Sequence, residues 1–147
     1  MTITNSILVN NTAIGAGGGF YNVDGTVTIT RSTLAHNTAG SLGGGGLRSD
    51  GGSLTITNST LAHNRTDSAP GGAIFNLDTL LTLTNTTVAE NFSGIFGGGA
   101  LYNPAGTVTI TNSTLARNVA SNGFGGGIRN HGSDLPHLPP SSGTVIL

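Results

Sequence analysis

The chain has 147 residues, 25 of them glycine, with only 7% charged, 5% aromatic and a formal net charge of −1. That charge leaves no basic patch for nucleic acid. The absence of cysteine removes disulfides and thiolate metal sites, and no apolar run approaches the length of a membrane-spanning helix. Abundant Thr, Ile and Val argue for strands rather than disorder.

The first stretch, "MTITNSILVNN" (1–11), lacks the basic and apolar regions of a signal peptide. It already carries the repeating pattern of the rest of the chain, so both ends read as parts of a longer polypeptide. The pattern returns as "TVTITRSTLAHN" (26–37), "SLTITNSTLAHN" (53–64), "LLTLTNTTVAEN" (80–91) and "TVTITNSTLARN" (107–118). Val27, Leu54, Leu81 and Val108 are each 27 residues apart, the copy at Met1 is one residue shorter, and a sixth opens at Val145. A fixed period of this size is the mark of a solenoid.

Within each copy the first piece, "VTIT", alternates apolar and polar residues, as a strand with one buried face does. The second piece is "STLA". The third comes after a glycine run, as in "GGGLRS", "GGAIFN", "GGALYN" and "GGGIRN". Three extended pieces and three turns predict a triangular coil, stacked on its neighbours at about 4.8 Å. The inward columns expected are Ile3, Ile29, Ile56, Leu83 and Ile110; Leu8, Leu34, Leu61, Val88 and Leu115; and Phe20, Leu47, Ile74, Leu101 and Ile128. Three sets of Asn mark the corners, in the columns of Asn11, Asn5 and Asn22, where amides can stack in ladders. Such inward ladders leave no room for glycans on the "NST", "NRT" and "NTT" triplets. The fold expected is all-β: a right-handed parallel β-helix of about five three-stranded coils over residues 1–132. A Pro/Ser-rich inserted loop comes next at 133–143, and a further coil starts at 144–147.

"GGAI" (71–74) and "GGAL" (98–101), with "LVNN", "LAHN", "VAEN" and "LARN", resemble the two halves of the repeat in polymorphic outer-membrane proteins and autotransporter adhesins. Leu or Val stands where that family has Phe. Through it the chain resembles the pectin-lyase-like β-helices, over about nine-tenths of its 147 residues. The resemblance implies an exported bacterial protein, extracellular or on the cell surface, whose solenoid displays a long surface.

Several outward positions are candidates for chemistry. Tyr21, Arg48, Phe75, Tyr102 and Arg129 form one column, suited to stacking on sugar rings or anchoring a partner. Thr2, Thr28, Thr55, Thr82 and Thr109 form another beside Thr4, Thr30, Thr57, Thr84 and Thr111. This double ladder resembles the ice-binding face of β-solenoid antifreeze proteins. Asn10, His36, His63, Glu90 and Arg117 share a turn column. His36, His63 and Glu90 are weak candidates for a shared metal, and the column reads as a solvated turn, so no cofactor is expected. Asp24, Asp50 and Asp78 lie near one corner, but calcium needs six or more oxygens. Pectate lyases and polygalacturonases use clustered acids with Arg or Lys, or several Asp on one strand face. Here there are six acids, no Lys, and Thr on that face. The expectation is therefore a non-catalytic segment, adhering to glycans or cell surfaces. The alternatives are a carbohydrate-active β-helix with its catalytic residues outside this segment, and an ice-binding solenoid. Open coil ends also predict self-association.

Overall fold

The computed structural model describes residues 1–131 and 143–147. Among them every regular element is a strand, and every strand pair is parallel. The alternation of Thr with Val, Leu or Ile gives each first piece one buried and one outward face, as in Thr26–Thr30 and Ser53–Thr57. A chain that must bury such a face finds its partner in the next copy of itself. Val27 pairs with Leu54, Leu54 with Leu81, and Leu81 with Val108. The result is a parallel β-solenoid of about five turns.

The described strands form three sheets. The second pieces make one: Ile7–Val9, Thr33–Ala35, Thr60–Ala62, Thr87–Ala89 and Thr114–Ala116. The pieces after the glycine runs were expected to form a face of their own. Instead they join the first pieces in one nine-stranded sheet. In two coils the pieces fuse into eleven-residue strands, Ile74–Thr84 and Leu101–Thr111, with register irregularities from Phe75 to Thr79 where the corner bends. The third sheet comes from segments the sequence did not mark as strands: Thr12–Ala13, Thr38–Ala39, Arg65–Thr66, Phe92–Ile95 and Val119–Asn122. Their inward residues are small, with Ala39, Thr66 and Ser93 buried, so no apolar alternation announces them.

The three expected apolar columns stand in register along the axis. Ile29, Ile56, Leu34, Leu61, Leu47 and Ile74 are wholly buried, while Leu8, Phe20, Leu115 and Ile128, with a coil on one side only, are partly covered. Each fully buried side chain contributes roughly 1.5–3 kcal/mol before entropy. Val27, Leu54, Leu81, Val108 and Val145 add a fourth column. The strand Thr144–Ile146 pairs in parallel with Thr107–Thr109. Of the inserted loop, only Gly143 lies within the described residues.

Two corners hold left-handed residues on every coil. Asn5, Arg31, Asn58, Asn85 and Asn112 have φ between 49° and 51°, and Asn10, His36, His63, Glu90 and Arg117 have φ between 52° and 58°. The residue after each turns inward and builds a buried polar ladder. After the second corner, Asn11, Asn37, Asn64 and Asn91 each donate from Nδ2 to the Oδ1 of the next asparagine at 2.9–3.0 Å, ending at Asn118, whose own Nδ2 donates to the Val88 carbonyl. The same Oδ1 accepts the backbone N–H of the coil before. After the first corner the ladder is made of hydroxyls. Ser32, Ser59 and Ser113 accept the N–H of Ser6, Ser32 and Thr86. The Asn5 column is thus not the inward ladder expected. Asn58, Asn85 and Asn112 are exposed, so the room assumed to be missing for a glycan is present there.

Glycine is required where coils touch. Gly71 lies at φ 73°, and a Cβ on Gly45 would stand 2.2 Å from the Gly72 carbonyl oxygen.

Candidate functional site

The threonine face grows directly from the strand pattern. Thr2, Thr28, Thr55, Thr82 and Thr109 pair in sequence across the coils, as do Thr4, Thr30, Thr57, Thr84 and Thr111. None of these ten hydroxyls bonds to another protein group among the described residues. Neighbouring coils stand about 4.8 Å apart, which favours no direct bond between these hydroxyls; in the adjoining column Ser53 Oγ does reach Thr26 Oγ1, at 3.4 Å. The hydroxyls are left to solvent or a ligand. A third column, which the sequence reading overlooked, widens the face. Thr26, Ser53, Thr107 and Thr144 share it with an exposed Leu80. Its signal was present in the sequence, as the polar residue opening each "TVTIT". The face is about 13 Å wide across three alternate residues and about 19 Å tall over five coils. Among the described residues, no charged side chain stands on it. Beyond Thr109 the column continues with Ile146 in place of Thr.

The aromatic column is also in register, Tyr21 to Arg48 to Phe75 to Tyr102 to Arg129. It is not an open platform. Phe75 is 9% exposed, and Gly43 of the glycine loop lies against its ring. Arg48 sits 4.2 Å from the Phe75 ring centroid and 5.9 Å from that of Tyr21. Its Nε donates to Asp50 Oδ1 at 2.7 Å, and its Nη1 donates to the Leu42 carbonyl. Tyr21 Oη donates to Asp50 Oδ2 at 2.8 Å, and that hydrogen bond pushes the Tyr21 phenol pKa up. Phe75 and Tyr102 rings lie 5.2 Å apart, and Arg129 covers Tyr102 at 5.3 Å while donating to the Phe96 carbonyl. Cation–π contacts and ion pairs thus occupy the faces that a sugar ring would need. Tyr21, at 47%, is the exposed member of the five.

The turn column brings three candidates side by side. His36 and His63 rings are stacked with centroids 4.8 Å apart and 6° between planes. His63 Nε2 lies 3.3 Å from Glu90 Oε2. Arg117 donates to Glu90 Oε1 and holds that carboxyl below the usual carboxylate range. The three aspartates do not form a column. Asp24 and Asp78 are left-handed corner residues, whereas Asp50 stands in the strand opposite Val23 and Leu77. Among the described residues no three metal-ligating side chains converge on one point.

Comparison with protein-family models, curated proteins and solved structures finds no match for the chain.

Proposed function

We propose that this chain is a binding segment of a secreted or surface-displayed bacterial solenoid, kin to the pectin-lyase-like adhesins, that adheres to neutral glycan surfaces without catalysis. The observation that carries the reading is the threonine face: an uncharged double column of ten hydroxyls without a protein partner, in register over five coils. Such a grid offers each step along the axis the same donor, acceptor and methyl group, which suits a partner that is itself regular and hydroxyl-bearing. It has no cation to attract an acidic polymer. The test is co-sedimentation with a panel of insoluble neutral polysaccharides, comparing the native chain with Thr55→Arg and Thr82→Arg. Retention that both substitutions abolish supports the reading. Retention unchanged by them, or release of new reducing or unsaturated sugar ends, overturns it.

A second reading uses the same face to order water against ice, and the unbroken double Thr ladder favours it. Thermal hysteresis or inhibition of ice recrystallisation, lost in Thr55→Arg, is its expected signature. Their absence in pure protein ends it.

A further inference from the structure

We propose that the first corner of the solenoid is a modification site, at which Asn58 and Asn112, and to a lesser degree Asn85, accept an N-linked sugar. The inference is independent of the threonine face. Six Asn-x-Ser/Thr triplets occur in the chain, opening at Asn10, Asn58, Asn64, Asn85, Asn91 and Asn112, and the fold divides them. Asn64 and Asn91 are wholly buried in the amide ladder, where Nδ2 and Oδ1 are both bonded. Asn58, Asn85 and Asn112 are exposed, each the left-handed residue of its corner with φ of 51°, 50° and 49°. The turn does not itself demand asparagine. Arg31 holds φ 49° in the same column, and His36, His63, Glu90 and Arg117 hold 52° to 57° at the second corner.

The acceptor needs a free amide and, two residues on, a hydroxyl that a transferase reads. Among the described residues, Asn58 Nδ2 and Asn112 Nδ2 donate to no protein group, whereas Asn85 Nδ2 donates to Asn58 Oδ1 at 3.2 Å. That bond ranks Asn85 last of the three. The hydroxyls are those of Thr60, Thr87 and Thr114, which open second-sheet strands and are half-buried or exposed on the outer face. Their neighbours on that face, Ala62, Ala89 and Ala116, are short, so a sugar has room over the second sheet, away from the threonine columns. Adjacent rungs stand about 4.8 Å apart, so sugars on Asn58 and Asn112 crowd each other less than either crowds one on Asn85. Asn10, at the second corner, is exposed and shares the expectation. Asn5 is the built-in control: it is exposed at φ 50°, but Ile7 stands where the hydroxyl is needed. In the transfer, Nδ2 bonds to C1 of an activated sugar as the C1–O bond to a phosphate or diphosphate leaving group breaks. The leaving group takes the electron pair, and the amide proton passes to a base of the transferase. The donor is by class a sugar nucleotide or a lipid-linked sugar diphosphate.

The test is peptide mass mapping of the chain isolated from the cells that make it. Sugar increments are expected on Asn58 and Asn112, with lower occupancy of Asn85 and none on Asn5, Asn64 or Asn91. An increment of a single hexose identifies a sugar nucleotide as the donor, and a larger preassembled block a lipid-linked one; either supports the proposal. Thr60→Ala and Thr114→Ala, made in the same cells, should clear Asn58 and Asn112 respectively while the unfolding midpoint stays near that of the native chain, since both side chains lie on the outer face. Ile7 is 75% exposed, so Ile7→Thr should be tolerated and should create a new acceptor at Asn5. Bare Asn58 and Asn112 in the chain from its own cells overturn the proposal. So does sugar on them that persists in the two Thr variants, or occupancy of Asn64 and Asn91 equal to that of the corner.

Discussion

Asn64→Ala should be among the most damaging single substitutions in this chain that remove no apolar surface. Asn64 is wholly buried. Its Oδ1 accepts from the Asn37 N–H and Asn37 Nδ2, each at 3.0 Å. Its Nδ2 donates to the Leu34 carbonyl at 2.9 Å and to Asn91 Oδ1 at 3.0 Å. Alanine removes all four bonds and admits no replacement, since the Asn37 N–H then has no acceptor in the core. At about 1 kcal/mol net for each bond the loss is about 4 kcal/mol. Asn11→Ala is the matched control. It sits at the exposed end of the same ladder, where its amide donates to Asn37 Oδ1 at 2.9 Å, so about 1 kcal/mol or less is expected. The difference of about 3 kcal/mol is more than a hundredfold in the folding equilibrium. Urea unfolding followed by circular dichroism reads both, with the denaturant slope compared to check that the transition stays cooperative. Amide exchange at Asn37 reads the orphaned donor directly. Equal losses for the two variants, or a loss below about 1 kcal/mol for Asn64→Ala, would refute the view that the buried amide ladder holds this corner.

Three further outcomes rest on particular atoms. Asn76 Oδ1 is buried without a partner because Ser49, the odd member of its column, is too short to donate to it; Ser49→Asn should supply the missing bond and raise stability by about 1 kcal/mol in the same urea assay, and a loss would mean that the pocket cannot take the amide. Gly45→Ala, whose Cβ would meet backbone of both Gly72 and Arg65, should cost about 2 kcal/mol or more, whereas Gly127→Ala, with nothing within 4 Å, should change the unfolding midpoint little. The Tyr21 phenol, raised above 10.0 chiefly by its bond to Asp50, should ionise at higher pH than free tyrosine and return toward it in Asp50→Ala, as followed by ultraviolet difference absorbance. A raised acid group favours the folded state below the unfolded pKa, so its contribution should fade as pH climbs through the alkaline range, and an unshifted titration would contradict the observed hydrogen bond.

Much of this molecule is determined by sequence alone, because a strict repeat makes every position a column. The 27-residue spacing puts Ile29 beside Ile56 and Thr55 beside Thr82 however the coil is bent, so the apolar core and the double threonine ladder were legible residue by residue. Tertiary structure decided what a column faces. Asn58 and Asn64 look alike in the sequence, yet Asn58 is exposed and Asn64 buried. The difference lies in backbone sign: Asn58 is itself the left-handed residue, and Asn64 comes directly after one, so the chain turns it inward. The third sheet was hidden because Ala39, Thr66 and Ser93 bury small side chains that carry no apolar signal. The aromatic column was legible as a column but not as a covered one, since only the folded glycine loop brings Gly43 onto Phe75 and the Leu42 carbonyl to Arg48. Periodicity specifies neighbours along the axis; the turn angles at three corners per coil specify inside and outside, and those angles depend on backbone contacts between coils that no single repeat contains.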